Sequence, residues 1–235
     1  MDNAKKSRLL LSLLVILSLS VIGLSVLTLI FINQLFSSFF IVGAILLLLV
    51  ILKMQNSYCI INMERKYEIL QAQKASPISV NQGLISDNWI NNTKINYDYV
   101  SYKRHEDYQL LYRFERESER QRPKTILILV IIFNQKINFD NLDLARDISA
   151  LENSVYKKNK YRHRLIMQFK EGLAEGAELN QADKVFYLTQ SRVHFVLINC
   201  LFDRKSKQLY FLHSNEFSPN QYYKRAVDEI VKLSK

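Results

Sequence analysis

Four histidines, His105, His163, His194 and His213, are the side chains best suited to acid–base or metal chemistry, and they are scattered along the chain. A zinc site needs three or four converging ligands, and other metals take histidine beside carboxylates. His194 and His213 fall on segments that read as neighbouring strands, so the two are expected to approach. A satisfied core or sheet-face histidine is nevertheless the commoner use of such residues. Asp140, Asp143 and Asp147 resemble a metal cluster in spacing. Acids at a helix start are favoured by the macrodipole alone, which accounts for them without an ion. Asp203-Arg204-Lys205 sets an acid beside bases, as a metal-dependent nuclease would, but on an expected hairpin turn rather than on a strand. Gly172-Leu173-Ala174-Glu175-Gly176 lacks the Lys-Ser/Thr needed to meet phosphates and reads as a loop. No G-x-G-x-x-G, Walker A, H-E-x-x-H, C-x-x-C or G-x-S-x-G pattern occurs. No cofactor and no metal is expected, and no catalytic residue is identifiable.

Charge is more informative. The chain has 32 basic and 22 acidic residues, a net charge of +10. Its densest basic run is Lys157-Lys158-Asn159-Lys160-Tyr161-Arg162-His163-Arg164. A helix C-terminus accounts for two or three cations, but hardly for Lys157, Lys158, Lys160, Arg162 and Arg164 together. Anionic lipid contributes about 1 kcal/mol for each basic residue held at its surface, so these five are the candidate anionic-surface site. Nucleic acid would be drawn by the same charge. Tyr156 and Tyr161 could stack on bases, but with 13 Tyr and 13 Phe in the chain their presence discriminates little. The stretch from Arg113 to Arg122 alternates in sign and reads as a solvated, self-compensating strand end or turn.

The elements that position these residues begin with a membrane anchor. From Leu9 to Leu52 there is no charged side chain. Two apolar runs, 9–32 and 35–52, are separated by Asn33-Gln34. At 1.5 Å per residue, against roughly 30 Å of hydrocarbon, each is long enough to span. A transmembrane helical hairpin is expected. The first run exceeds a signal peptide's apolar region and no small-residue cleavage site follows it. Lys5, Lys6 and Arg8 precede the hairpin, Lys53, Arg65 and Lys66 follow it, and the connection is uncharged. The positive-inside rule then puts both termini in the cytoplasm of a multi-pass protein of the plasma or inner membrane. The spans contain no ionisable group, which argues against a transport pathway. Their small residues, among them Gly23 and Gly43-Ala44, would permit close helix packing. Cys59 and Cys200 form no disulfide framework and suit a reducing compartment. Cys59 is placed for S-acylation, although an ordinary thiol is the simpler reading. The Asn91-Asn92-Thr93 sequon has no role in a cytosolic segment. An Ile/Lys/Asn/Tyr-rich, Gly/Pro-poor composition suggests a bacterial source with an AT-rich genome.

Beyond the basic tail (1–8) and the hairpin (9–52), a juxtamembrane helix is expected over 53–75. Its stripe of Ile60, Met63, Tyr67 and Leu70 fits either a homodimeric coiled coil or packing on its own domain. A linker is expected over 76–87, where Pro77 and Gly83 break the helix. A cytosolic α+β domain follows over 88–235, with a mixed, mostly antiparallel sheet and two main helices. Strands are expected at Ile95–Tyr99, Tyr108–Phe114, Ile126–Phe133 and Leu165–Phe169. Three more, Val185–Thr189, Val193–Phe202 and Leu209–Leu212, would form a meander. The first main helix is expected to start at a cap on Asp140 and bury Leu144, Ile148, Leu151 and Val155. The last is expected to be capped by Ser218, with Pro219 at its first position and Gln221 completing a capping box. Two functions fit these features. One is a membrane-anchored binding or regulatory module touching anionic lipid, a protein partner or a small ligand. The other is a membrane-tethered hydrolase or nuclease-like enzyme acting on a phosphate-bearing substrate.

Overall fold

The computed structural model describes residues 3–31, 34–80, 83–116, 125–134, 139, 142–156, 161–190 and 193–235. The chain divides into two compact units, Met1–Glu68 and Ile69–Lys235.

The first unit is helical. α1 (Asn3–Phe31) and α2 (Gln34–Ala72) are rich in Leu, Ile and Val and contain no proline. The hydroxyls of Ser18 and Ser20 donate to the carbonyls of Val15 (2.8 Å) and Ile16 (3.0 Å), so they are satisfied within the apolar helix. α2 runs unbroken past Lys53, so the expected juxtamembrane helix is its continuation. Among the described residues one stretch, Ile41–Ala72, is long and apolar enough to cross a membrane, and α1 holds a shorter apolar stretch, Ser12–Leu24. A two-helix hairpin is therefore not shown. Among the described residues, a Cβ at Gly23 or Gly43 would meet nothing within 4 Å.

The second unit is an α+β fold around one mixed sheet of order β1-β8-β7-β5-β4-β3-β2, with β6 paired to β7. Its centre is β4 (Thr125–Phe133), a β-branched run with Ile126 to Ile131 fully buried. On one side lies β3 (Tyr108–Arg116), antiparallel and followed by the edge strand β2 (Val100–Arg104); on the other lies β5 (His163–Glu171), parallel. Parallel neighbours need a crossover, supplied by α4 (Leu142–Tyr156). Leu144, Leu151 and Val155 of α4 pack on Leu127, Leu129 and Ile131. The Asp140 cap expected for this helix lies outside the described residues.

β7 (Val193–Asp203) is parallel to β5. Its other edge is shared by β6 (Val185–Gln190), which pairs with its first half, and β8 (Gln208–Tyr210), which pairs with its last three residues. The expected meander is thus two hairpins sharing one strand, and β8 ends before Leu212. α5 (Gly176–Ala182) occupies part of the stretch expected to be a loop. α6 (Gln221–Leu233) covers the sheet face opposite α4, burying Tyr222, Tyr223, Ala226, Ile230 and Leu233.

Three local readings are corrected. Ile95 and Tyr97 do not begin a strand; they close α3 (Asp87–Tyr97), whose N-terminus is capped by the Ser86 hydroxyl accepting the Trp89 N–H at 3.2 Å. Ile90 and Thr93 are its buried positions, and a left-handed Asp98 (φ 57°) ends it. The expected linker contains β1 (Ile78–Ser79), which pairs with β8. The cap of α6 is Asn220, whose side-chain carbonyl accepts the Tyr223 N–H at 2.8 Å; Ser218 instead donates to the Asn220 carbonyl at 2.9 Å. Capping from Asn220 lets Tyr222 and Tyr223 both reach the sheet.

Leu70 is 0% exposed. It serves its own protomer and cannot face a partner helix, which leaves Ile60, Met63 and Tyr67 of the expected stripe.

Candidate functional site

Strand register defines two ends of the sheet. Arg116 pairs with Thr125, Ile126 with His163, His163 with His194, and Gln190 with Val193. The connections 117–124, 157–162 and 191–192 therefore begin and end at one end. By sequence they contain eight basic residues, Arg120, Arg122, Lys124, Lys157, Lys158, Lys160, Arg162 and Arg192, against Glu117 and Glu119. The connections at the opposite end, 105–107, 134–141, 172–175 and 204–207, hold four basic and four acidic residues. By sequence, the connections that join strands at one end are strongly cationic and those at the other are balanced.

Lys157, Lys158 and Lys160 lie outside the described residues. Arg162 is exposed, and its backbone N–H donates to the Thr125 carbonyl at 3.2 Å. Arg164 is already committed. Its guanidinium donates to both Glu152 oxygens at 2.8 Å and sits 6.0 Å from the Phe195 ring centroid, pinning α4 to β5. It contributes little free charge to an external anion. Tyr161, expected to be available to a base, is buried against Phe114 at 6.3 Å between ring centroids.

The same end carries an aromatic plug. His163 and His194 face each other across the parallel register, 5.0 Å apart, and Tyr222 stacks on both at 4.3 and 4.2 Å. His163 Nδ1 accepts the His194 backbone N–H at 3.2 Å, so its neutral tautomer carries the proton on Nε2. The expected approach of His194 to His213 is corrected: the partner of His194 is His163 of β5, and on the other edge of β7 that position is taken by β6 rather than β8.

The remaining titratable groups brace the fold. Glu229 of α6 accepts the Tyr99 hydroxyl at 2.9 Å and Arg113 at 2.8 Å, while Glu115 accepts Arg113 at 3.2 Å and also Arg225. Burial, then Glu229, raises the Tyr99 pKa. Asp147 accepts Lys103 at 2.9 Å and the Tyr108 hydroxyl at 2.6 Å. These two bonds hold its carboxyl below the usual range, and burial then Asp147 raises Tyr108. Lys170, 2% exposed, meets Glu178 at 2.8 Å. A Cβ at Gly172 would lie 2.5 Å from a Glu178 oxygen and 2.9 Å from Leu201, so a larger residue there would push the Glu178 side chain off its present position. Asp203 folds its own turn, accepting the Lys205 N–H (3.0 Å) and the Ser206 hydroxyl (2.8 Å), which is the work of a turn rather than of a metal ligand. Burial pushes the Cys200 thiol up, leaving it unreactive. Among the described residues no group of three or more His, Cys, Asp or Glu side chains is arranged around a metal position.

Arg120, Arg122, Lys124 and Arg192 were not foreseen as companions of the 157–164 run. Locally they sit among acids or alone, and only strand order brings their connections to one end. No protein-family model matches the chain, nor does any curated protein or solved structure.

Proposed function

We propose that the chain is a membrane-anchored binding module whose domain applies its cationic sheet end to anionic head groups on the cytoplasmic leaflet. The observation that carries this reading is the charge contrast between the two sheet ends, eight basic and two acidic residues against four and four. At about 1 kcal/mol per cation near the surface, engagement of only half of the eight would supply roughly 4 kcal/mol.

One further observation supports it. Apolar side chains around α1 and α2, such as Leu13, Leu19, Ile45 and Leu49, are more than half exposed. Lipid accommodates such surface and water does not. With the basic flanks Lys5, Lys6, Arg8 and Lys53, this favours a two-span anchor with both termini cytoplasmic. The alternative, a tethered hydrolase or nuclease-like enzyme, draws no support from Asp203-Arg204-Lys205, which is occupied in turn formation.

The test is cosedimentation of a 69–235 fragment with phosphatidylglycerol and phosphatidylcholine vesicles. Binding to the anionic vesicles alone is expected. It should fall as salt rises, because the Debye length drops from about 10 Å at 0.1 M to about 3 Å at 1 M. The triple variant Lys157→Glu, Lys158→Glu, Lys160→Glu should release the fragment, whereas Lys205→Glu with Lys207→Glu at the balanced end should not. Equal loss in both variants, or equal binding to neutral vesicles, sinks the proposal. Much tighter, salt-sensitive binding to RNA would move the protein to the nucleic-acid class.

A further inference from the structure

The β6–β7 hairpin carries an apolar strip that is covered along one margin only. Side chains two apart on a strand share a face, so Val193, Phe195 and Leu197 of β7 point the same way. Phe186 of β6 joins them, because register sets it opposite Leu197. The Phe186 and Phe195 rings meet edge to face at 5.6 Å between centroids. This is the face that α4 packs on further in, and Phe195 and Leu197 lean against that core. Farther out, Phe186 is 52% exposed and Val193 38%. Single exposed apolar residues need no explanation, but a joined row of them marks a contact surface.

Charge indicates what the strip meets. Register puts the tip of the hairpin, Gln190 opposite Val193, at the same sheet end as the connection 157–162. By sequence the hairpin connection supplies Arg192, and no acidic residue occurs from Lys184 to Phe202. On the β5 side Arg164, held by Glu152, stands over the Phe195 ring at 6.0 Å. Apolar and aromatic side chains among cations, with no carboxylate to be repelled, are what an interfacial segment presents to anionic lipid. The cations stay at phosphate level, and the apolar face sinks about 5–10 Å toward the acyl chains. A second copy docked across a two-fold axis would instead set like-charged connections against each other. We infer that the strip is a membrane-inserting edge: Val193, and behind it Phe186, enter the interfacial layer of an anionic bilayer. The inference rests on the proposed docking of the cationic connections and adds to it an apolar contribution that salt does not screen.

The experiment uses the full chain in a Cys59→Ser background, with a single chain in each phosphatidylglycerol nanodisc. An environment-sensitive fluorophore is placed in turn at Val193→Cys, Phe186→Cys, Arg162→Cys and Leu173→Cys. Leu173 is the control, an apolar residue 48% exposed in the connection 172–175 at the opposite sheet end. The probes at 193 and 186 are expected to shift to the blue and to be quenched more strongly by a spin label high on the acyl chain than by one on the head group. The probe at 162 should show the reverse order, and the probe at 173 neither response. Read by the probe at 162, the double variant Phe186→Ser, Val193→Ser should weaken docking roughly tenfold, the loss expected for two partly buried apolar side chains. Both positions are exposed, so the urea midpoint of Trp89 emission should not move. Quenching at 162 with none at 193 and 186 overturns the insertion and leaves the charge docking standing, whereas no quenching at any of the three overturns both. A blue shift at 186 that requires two chains in one disc assigns the strip to a second copy and likewise overturns the inference.

Discussion

Asn220→Ala tests the account of how the last helix is held. In the folded chain the Asn220 side chain accepts the Tyr223 N–H at 2.8 Å, satisfying one of the four donors that a helix N-terminus leaves open. Alanine removes that acceptor, and such losses amount to about 0.5–2 kcal/mol, with glycine costing only a few tenths. The backbone at Asn220 is extended (φ −162°), so neither replacement introduces strain. Urea slopes for domains run about 1–3 kcal/mol per molar, so the midpoint should fall by roughly 0.3–1 M for a loss near 1 kcal/mol. The chain has one tryptophan, Trp89, and it reports this helix directly. Its indole N–H donates to the Leu233 carbonyl at 2.7 Å and its ring packs on Phe169 at 5.6 Å. Urea titration followed by Trp89 emission should rank the variants wild type, then Asn220→Gly, then Asn220→Ala. An unchanged midpoint for alanine, or glycine as damaging as alanine, would refute the assignment of the cap.

Glu229→Ala should lower stability by about 2–4 kcal/mol in the same titration, because it strips partners from the Tyr99 hydroxyl and from Arg113, which keeps Glu115 and the face of the Tyr99 ring; Glu229→Gln should cost less. Stability should fall as pH drops through His213's ordinary value of 6.5. The unfolded chain takes up a proton there while the folded imidazole resists, so the unfolded state binds more protons, with a slope of at most about 1.4 kcal/mol per pH unit. His213→Leu should flatten that part of the pH profile. In a Cys59→Ser background, Ser37→Cys should be labelled in intact cells by a membrane-impermeant reagent; labelling of Lys235→Cys under the same conditions would reverse the proposed topology.

The sequence conveyed most of the sheet and less of its edges. The run Ile126–Phe133 was readable as a central strand because burial on both faces removes alternation, and it is the strand between β3 and β5. The stripe Leu144, Ile148, Leu151 and Val155 was readable because its period is helical, and it packs on β4. Ile95, Tyr97 and Tyr99 misled because three apolar residues two apart mimic a strand, whereas the Ser86 cap and the left-handed Asp98 fix a helix from outside that window. Ser218 misled because Ser218 and Asn220 are both competent caps, and only the docking of Tyr222 and Tyr223 decides between them. The candidate site was half legible. The 157–164 run stands out locally, but Arg164 carries its own counter-ion, Glu152, from a neighbouring element that spacing does not reveal. Arg120, Arg122, Lys124 and Arg192 join the run only through strand order. The pairing of His163 with His194 is likewise a matter of register between parallel strands 31 residues apart in sequence.

The most direct test of the membrane-facing end is a depth measurement on the full chain in nanodiscs, in a Cys59→Ser background. Arg162→Cys and Lys205→Cys place one fluorophore at the cationic end and one at the balanced end, both at exposed positions. Quenching by a lipid-borne spin label should be strong for the probe at 162 in phosphatidylglycerol discs, and should weaken in phosphatidylcholine discs or at about 1 M salt, where screening shortens the field to about 3 Å. The probe at 205 should be quenched weakly in both lipids. Stronger quenching at 205 than at 162, or quenching at 162 that ignores lipid charge and salt, would contradict the account.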